Sequence, residues 1–308
     1  MPESRRAASR AERRTGSTFA AACVVVLSLA ACSRSPQPVE EGRFVEPDRL
    51  YRALEENVRG HQEFEVIADI DHARLAERAG SPMPPAHVLI WSDPALDAAI
   101  LKANPLAALD LPLRALAFED RATGKAAVIA NRFDFLMRRH GLPDDAALRA
   151  RYDAAMAKAM RGIPPDSIVS FASDAMPDAG LVTLESPHDF SATEALLIKV
   201  IRSQSDTMIF ATVDFAARAH EQGVSLTPLR LILFGAPGPG GQAMSKAPTL
   251  GLDAFCQKLL LWQDANGAVR VTFNDLLALA ERQQVSVGLP LRVINRRIRE
   301  TFSDALEP

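Results

Sequence analysis

The chain contains few of the residues that build metal sites, disulfides or cofactor-binding clusters. Its 308 residues include three Cys and six His, and the His residues are dispersed without a His-x-His, His-Glu-x-x-His or Cys-x-x-Cys pairing. Structural and catalytic metal sites usually place such ligands at short, fixed spacings. We therefore predict no metal site, no catalytic constellation and no cofactor.

Cysteine is too scarce to provide a disulfide framework. Cys23 and Cys32 lie within or at the end of an N-terminal leader, so Cys256 is the one thiol left in the remaining chain. Stability must then come from packing, and Cys256 is expected to be a small packing residue. A reactive thiol is the alternative, and it would need a neighbouring base or cation to lower its pKa.

The sequence also lacks an apolar run long enough to span a bilayer. Phe19–Ala31 is apolar except for Ser28, whereas a spanning helix needs about 20 such residues. Five Arg precede this run, and it ends in Leu29-Ala30-Ala31-Cys32, which resembles a bacterial lipobox. The resemblance implies that residues 1–31 are a lipoprotein signal peptide and that Cys32 carries the lipid. An ordinary signal peptide is the alternative.

The predicted mature chain is acidic. Its 277 residues carry 30 basic and 36 acidic side chains, because the leader contains five Arg and two Glu. This balance argues against nucleic acid as a partner. Ser33 after the lipidated Cys favours a periplasm-facing position on the outer membrane, where residues 32–46 would form a tether.

The chain repeats itself after 143 positions. Residues 67–142 align with residues 210–285 without a gap, and 17 of the 76 aligned positions are identical. Such self-similarity indicates a duplicated structural unit. We predict a first repeat domain over 47–142, a linker with a helix over 143–179 and a second repeat domain over 180–290.

The final predicted segment, residues 291–308, is a C-terminal amphipathic helix. Within each repeat, segments with helical spacing alternate with Gly-bearing hairpins. The hairpin of the first repeat is predicted to pair Leu113–Glu119 with Ala126–Ala130, and a helix over Phe133–His140 is predicted to follow it. This order predicts an α+β fold of two two-layer sandwiches, each with a mixed or antiparallel sheet. We expect each repeat to bury its own apolar interior.

Several motifs resemble one bacterial family. They are the run Gly180–Thr193 at the start of the second repeat and, in the first, Ile70-Asp71-His72, Asn104-Pro105-Leu106 and Leu109-Asp110-Leu111-Pro112-Leu113. Together they are similar to the bacterial domain-of-unknown-function 302 family, here in tandem. The resemblance implies a compact α+β domain and brings no established activity.

Polar residues present in both repeats are the natural candidates for a site, and some have structural explanations. Asp71 and Asp214 stand where a strand gives way to a helix, which predicts N-capping. Asn131 and Asn274 precede the last helix of each aligned unit, and capping is expected there too.

The ligand-binding candidates are four residues. Asp110 and Asp253 precede a strand rather than a helix, so either a ligand cleft or a turn-stabilising hydrogen bond explains them. His72 and Asn104 occur in the first repeat alone, and for His72 a surface or capping position is expected, with contact to a ligand as the alternative. The glycine-rich run Gly235–Gln242 lacks the adjacent Lys of a phosphate-binding loop and is predicted to be an ordinary loop.

These patterns favour a bacterial envelope lipoprotein that binds a small molecule or an envelope protein. One alternative is an enzyme, a hydrolase or a redox protein, with its site in the first repeat; a structural envelope scaffold is another. Convergence of His72, Asn104 and Asp110 in one concave pocket would favour the enzyme.

Overall fold

The computed structural model describes residues 39–176 and 179–307, so the leader, Cys32 and most of the tether lie outside the described residues. A short 3-10 helix, Glu41–Phe44, opens the described chain. The first repeat then contains α1 (Val45–Arg59), β1 (Glu65–Asp71), α2 (His72–Arg78), β2 (Ala86–Ser92), α3 (Pro94–Ala103), a 3-10 helix (Pro105–Leu109), β3 (Leu113–Glu119), β4 (Ala126–Ala130), α4 (Phe133–His140) and α5 (Ala146–Ala159).

A connector leads to the second repeat through a 3-10 helix, Pro165–Ser167, and strand β5, Ile168–Val169. The second repeat contains β6 (Leu181–Glu185), α6 (Phe190–Ser203), β7 (Met208–Asp214), α7 (Phe215–Glu221), β8 (Leu229–Gly235), α8 (Pro237–Met244), α9 (Leu250–Asp253), β9 (Gln257–Gln263), β10 (Val269–Asn274), α10 (Leu276–Arg282) and α11 (Leu289–Leu306). Elements β7, α7 and β8 begin and end 143 residues after β1, α2 and β2.

Each repeat folds around a five-stranded sheet. The first sheet has the order β1-β2-β3-β4-β5, with antiparallel neighbours except for the parallel pair β4–β5. The second has the order β6-β10-β9-β8-β7 and is antiparallel throughout. Helix α1 packs on β2, β3 and β4, and α6 packs on β7 and β9. The predicted α+β fold of two similar repeats is therefore confirmed.

The predicted helix starts at Asp71 and Asp214 are confirmed. The Asp71 carboxylate accepts a hydrogen bond from the Arg74 amide at 2.8 Å, and the Asp214 carboxylate accepts one from the Ala217 amide at 3.0 Å. These bonds satisfy one of the amide groups that a helix leaves without a partner at its N-terminus. The same local chemistry therefore starts α2 and α7.

The 143-residue shift also relates the last helices. Helix α5 begins at Ala146 and α11 begins at Leu289, which is the aligned position. Helix α5 lies beyond the end predicted for the first repeat domain at residue 142, and most of α11 lies beyond the end predicted for the second at residue 290. The duplicated unit therefore extends through its final helix.

The predicted loop at Gly235–Gln242 is wrong, because most of it lies in α8. Pro237 stands in the first turn of this helix, where a missing amide hydrogen costs little. A Cβ at Gly241 would lie 2.5 Å from both Ala76 Cβ and the Ser81 carbonyl oxygen. Glycine is therefore used here for close helix packing against α2.

The two repeats interlock through reciprocal helix contacts. Helix α2 packs on α8, and α3 packs on α7; the 143-residue shift exchanges these two pairs. Reciprocal contacts are the pattern of a two-fold interface. The buried apolar side chains of both repeats consequently join in one continuous cluster, rather than in the two separate interiors expected from the sequence.

Candidate functional site

Asp110 and Asp253 meet at the junction between the repeats. Both side chains are buried, and one nitrogen of Arg114, Nη2, donates to Asp110 Oδ1 at 2.8 Å and to Asp253 Oδ1 at 2.9 Å. The sequence identified both aspartates, although 143 residues separate them. The structure brings them together through one shared guanidinium group.

A second cation serves each aspartate. Arg139 Nη1 donates to Asp110 Oδ2 at 2.8 Å, and its aligned partner Arg282 donates from Nη1 to Asp253 Oδ2 at the same distance. The Arg282 guanidinium is enclosed by aromatic rings, 3.4 Å from the Phe135 centroid. Cation–π contact of this kind stabilises a desolvated guanidinium.

The capping role expected for Asn131 and Asn274 is wrong. Asn131 Nδ2 donates to Asp253 Oδ1 at 2.8 Å, and Asn274 Oδ1 accepts from Arg139 Nη2 at 2.6 Å. Both bonds cross from one repeat to the other, and the cap of α10 is instead Asp275. We call the seven connected side chains the junction network: Asp110, Asp253, Arg114, Arg139, Arg282, Asn131 and Asn274.

Both aspartates of the junction network are held as carboxylates. Burial by itself raises a carboxyl pKa, but Arg139, His140 and Arg114 hold the pKa of Asp110 well below its usual range. Burial acts in the same direction on Asp253, and Arg114 and Arg282 lower its pKa. Two carboxylates are therefore shared among three guanidinium groups, and the hydrogen bonds of the network join the two repeats.

His72 and Asn104 have other partners. His72 is buried, contrary to the surface or capping position expected, and its Nε2 lies 3.0 Å from the carbonyl oxygen of Gly251 in the second repeat. Burial lowers the pKa of His72 to about 4, so the ring is neutral at pH 7.

Asn104 caps a local turn rather than facing Asp110 directly. Its Oδ1 accepts from the Leu106 amide at 2.9 Å, and its Nδ2 donates to the His140 carbonyl at 2.7 Å. The three first-repeat candidates therefore have separate partners and do not form the convergent pocket that would favour an enzyme. Among residues 39–176 and 179–307, no group of three or more His, Cys, Asp or Glu side chains is placed to hold a metal ion.

An open cleft lies in the second repeat, where the sequence pointed to none. It has a volume of about 30 Å³ and lies between α11 and the ends of β8 and β9. Its apolar walls include Phe234, Pro239, Ile294, Ile298 and Phe302, and its polar rim includes Gln204, Thr207, Arg297 and Thr301. Ligand sites in proteins commonly combine such apolar walls with a few polar groups. We call this space the α11 cleft.

The rim of the α11 cleft is held by an ion pair. Arg297 donates to both carboxylate oxygens of Asp206, at 2.6 and 2.7 Å, and the pKa of Asp206 is lowered by that hydrogen bond. Inside the cleft, the rings of Phe234 and Phe302 meet edge to face, with centroids 5.7 Å apart. The walls are therefore rigid aromatic surfaces, and the charge of Arg297 is already neutralised.

A smaller inner cavity of about 10 Å³ adjoins the α11 cleft. The two spaces share Phe234, Gln257 and Ile298 as lining residues, and the inner one also contacts Lys258 and Asn274. Gln257 therefore lies between the open cleft and the buried Lys258.

Lys258 is a buried cation whose hydrogen bonds go to main-chain oxygens. Its Nζ donates to the carbonyl of Cys256 at 2.8 Å and to that of Asp253 at 3.1 Å. Burial, reinforced by the charge of Arg114, lowers the pKa of Lys258 to about 8. Within the described parts of the chain, Lys258 takes part in no ion pair with a carboxylate.

The α11 cleft belongs to the second repeat because the first repeat fills the equivalent space. Trp91 is aligned with Phe234, and Phe64 with Thr207. Trp91 is fully buried, and its ring centroid lies 6.4 Å from that of Phe64. Ala115 stands where the second repeat has Lys258. The first repeat therefore lacks both the rim residue Thr207 and the buried cation.

Part of the chain is similar to two curated proteins with a channel name. It is 39% identical over 115 residues to "Fluoride-specific ion channel FluC 1" from Brucella suis biovar 1 (strain 1330) and to the protein of that name from Brucella abortus biovar 1 (strain 9-941). The match covers 36% of this chain and 42% and 40% of those proteins, so the chain spans less than half of their length. In the described ranges, no helix has the length and apolar character needed to cross a membrane.

The chain is also similar to a solved structure and matches a sequence family. The crystal structure of an uncharacterized conserved protein DUF302 from Bacillus stearothermophilus is 15% identical, with a TM-score of 0.35, and the match covers 41% of this chain and 95% of that one. The family described as "Domain of unknown function DUF302" matches residues 42–160 and again residues 182–306. These two regions include β1–β4 of the first sheet, nearly all of the second sheet and most of the described chain, so the protein belongs to the DUF302 family and carries its domain twice.

Proposed function

We propose that the protein is a lipid-anchored protein of the bacterial envelope that binds a small, largely apolar molecule in the α11 cleft. The observation that carries the binding role is the cleft itself, an open depression bounded by aromatic and branched side chains. The anchor is proposed from the lipobox resemblance at Cys32, which lies outside the described residues. A periplasm-facing position would follow from that anchor.

The walls of the cleft favour an apolar body in the ligand. Each Å² of apolar ligand surface buried there contributes about 25 cal/mol before the costs of association. The Brucella relatives carry fluoride in their name, but a strongly hydrated small anion would lose water against the rings of Phe234 and Phe302, and the rim residue Arg297 is already paired with Asp206. An apolar ligand therefore fits this cleft better than a bare anion.

The first repeat indicates how to close the cleft. The double variant Thr207→Phe with Phe234→Trp gives the second repeat the two rings that fill the equivalent space in the first. We expect full-length protein to bind the neutral fluorescent probe N-phenyl-1-naphthylamine with saturation at one site, and the double variant to bind it at least about ten-fold more weakly.

A matched control variant separates the effect of filling the cleft from the effect of losing the Thr207 hydroxyl group. Thr207 Oγ1 donates to the carbonyl of Ile201 at the end of α6, and Thr207→Val removes this bond without adding a ring. Probe binding should survive in Thr207→Val, with circular dichroism showing a folded protein in each case. Equal binding by wild type and double variant, or no saturable binding at all, would reject the cleft as the binding site.

A further inference from the structure

The two buried aspartates of the junction network are outnumbered by cationic side chains. The cations around Asp110 and Asp253 are Arg114, Arg139, Arg282 and Lys258. Asp174 also acts on Arg282, but it forms an ion pair of its own with Arg132. Four cations therefore surround two carboxylates. Positive charge kept out of water without a counter-charge is costly, so an anion bound nearby would stabilise the folded protein.

The inner cavity adjoins this excess charge and has room for about one water molecule. It has a volume of about 10 Å³, and its walls include Lys258 and Asn274, which are 2% and 4% exposed. Lys258 donates to the main-chain oxygens of Cys256 and Asp253, which leaves one of its three N–H groups. Asn274 Oδ1 accepts from Arg139, so its Nδ2 is the group left to donate. Both side chains therefore offer donors to an occupant of the cavity.

This arrangement suits an anion better than a water molecule. The two hydrogens of a water need acceptors, whereas Lys258 and Asn274 offer donors. Gln257, the other polar side chain of the wall, can present either end of its amide, so it can serve as a third donor. The volume restricts the anion to a monatomic one: fluoride is about as large as a water molecule, and chloride is larger.

We propose that the inner cavity is a binding site for one fluoride ion, held by hydrogen bonds from Lys258 and Asn274. Hydrogen bonds between a cation and an anion are among the strongest in proteins, and here they replace part of the hydration that the ion loses. The ion enters when the structure opens locally, as happens for buried groups in folded proteins. This site is independent of the proposed binding of an apolar molecule in the α11 cleft.

A titration of full-length protein with sodium fluoride tests the site without any variant. Fluorine-19 NMR at pH 7 follows the bound ion, and sodium gluconate, whose anion is too large for the cavity, keeps the ionic strength constant. We expect one saturable site and competition by chloride at concentrations at least about ten-fold higher than fluoride. Absence of saturable fluoride binding would overturn the inference, and chloride binding as tight as fluoride would overturn the size argument on which it rests.

The variant Lys258→Met locates the site. Alanine stands at the aligned position of the first repeat, so the fold accepts a neutral side chain there. Fluoride binding should be lost in Lys258→Met and kept in the control Lys246→Met, which removes an exposed ammonium group of the same repeat. Circular dichroism checks that both variants fold. Fluoride binding that survives in Lys258→Met would overturn the inference.

The pH dependence of fluoride binding gives a second readout on the wild-type protein. The charged and titratable groups that act on Lys258 are Arg114, Asp110, Asp253 and Cys256. The pKa of Cys256 is raised to about 11 and those of both aspartates are lowered, so Lys258, with a pKa of about 8, is the group among them that changes charge between pH 7 and pH 9. Because fluoride pairs with the ammonium form, its affinity should be about ten-fold weaker at pH 9 than at pH 7. Equal affinity at both pH values would show that Lys258 does not hold the ion.

Discussion

The carboxyl group of Asp97 lies at the contact between helices α3 and α7, one of the two reciprocal contacts that join the repeats. It is 2% exposed, and Ser92 donates a hydrogen bond to its Oδ2 at 2.5 Å, while its Oδ1 has no partner in the structure. Burial raises the pKa of Asp97 to about 7 against the opposing hydrogen bond from Ser92. The folded protein therefore binds this proton far more tightly than the unfolded chain does.

The size and sign of the effect follow from linkage. Raising the pKa from about 4 to about 7 corresponds to about 4 kcal/mol, because a tenfold change in proton affinity is worth about 1.4 kcal/mol. Between about pH 4 and pH 7 the folded state holds the proton and the unfolded state has lost it, so the free energy of unfolding falls as the pH rises. Below this pH window the neutral carboxyl group does not lower the free energy of unfolding. Above the window the free energy of unfolding has fallen by the full amount.

Asp97→Asn should abolish this pH dependence. Because asparagine is neutral and similar in shape, the variant should match wild type near pH 4 and be more stable by up to about 4 kcal/mol at pH 8. Urea denaturation at pH 4, 6 and 8 measures the difference, and the exposed Asp153→Asn serves as the control with a constant offset. A stability difference between Asp97→Asn and wild type that stays flat from pH 4 to pH 8 would refute the reasoning.

Three further predictions concern the junction, the helix contact and the anchor. Asp253→Asn leaves buried guanidinium groups uncompensated and should lower the free energy of unfolding by about 3–5 kcal/mol, measured by urea denaturation at pH 7. Gly241→Ala places a Cβ 2.5 Å from the facing helix and should cost about 1–3 kcal/mol, whereas Gly42→Ala, with no atom within 4 Å of its new Cβ, should change stability by less than about 0.5 kcal/mol. Cys32→Ala should abolish incorporation of labelled palmitate in cells and delay processing; normal labelling would contradict the lipid anchor.

The ends of individual strands and helices were predictable because they depend on residues that are close together in the chain. Strands β3 and β4 and helix α4 have the ends predicted for them, Leu113–Glu119, Ala126–Ala130 and Phe133–His140. Apolar periodicity and a Gly-bearing turn determine such elements without tertiary information. The gapless alignment then transfers each element from one repeat to the other.

The junction was not predictable in the same way. Asn131 lies two residues before the start of α4, where local rules favour a helix cap. Its side-chain amide instead donates a hydrogen bond to Asp253 in the other repeat. His72 likewise begins α2 but faces Gly251. A single sequence does not say which face of a helix meets another repeat, so local hydrogen-bond rules were applied where a tertiary contact decides.

Residue differences between the two aligned repeats point to the α11 cleft, but only the structure shows that they leave a space. Replacement of a Trp by Phe234 and of a Phe by Thr207 removes ring volume at two positions, and Lys258 replaces an alanine. Loss of volume in a core is usually compensated by larger neighbours. On the facing helix α11, Ile298 and Phe302 replace alanines of the first repeat, which adds volume. The space that remains is therefore evident only when the helix and the strands are both placed.

The aligned residues Arg114 and Gln257 connect two differences between the repeats. One is the asymmetry of the junction network, and the other is the position of the α11 cleft in the second repeat. Arg114 lies close enough to both repeats for one of its nitrogens to serve Asp110 and Asp253 together. A second arginine at the aligned position would add another positive charge to a buried cluster whose two carboxylates are already shared, which is unfavourable at low dielectric. Gln257 stands there instead, released from the ion network, and its side chain lines both the α11 cleft and the cavity beside Lys258. Near a two-fold interface, one copy can thus keep the structural charge while the other is free to form a binding surface.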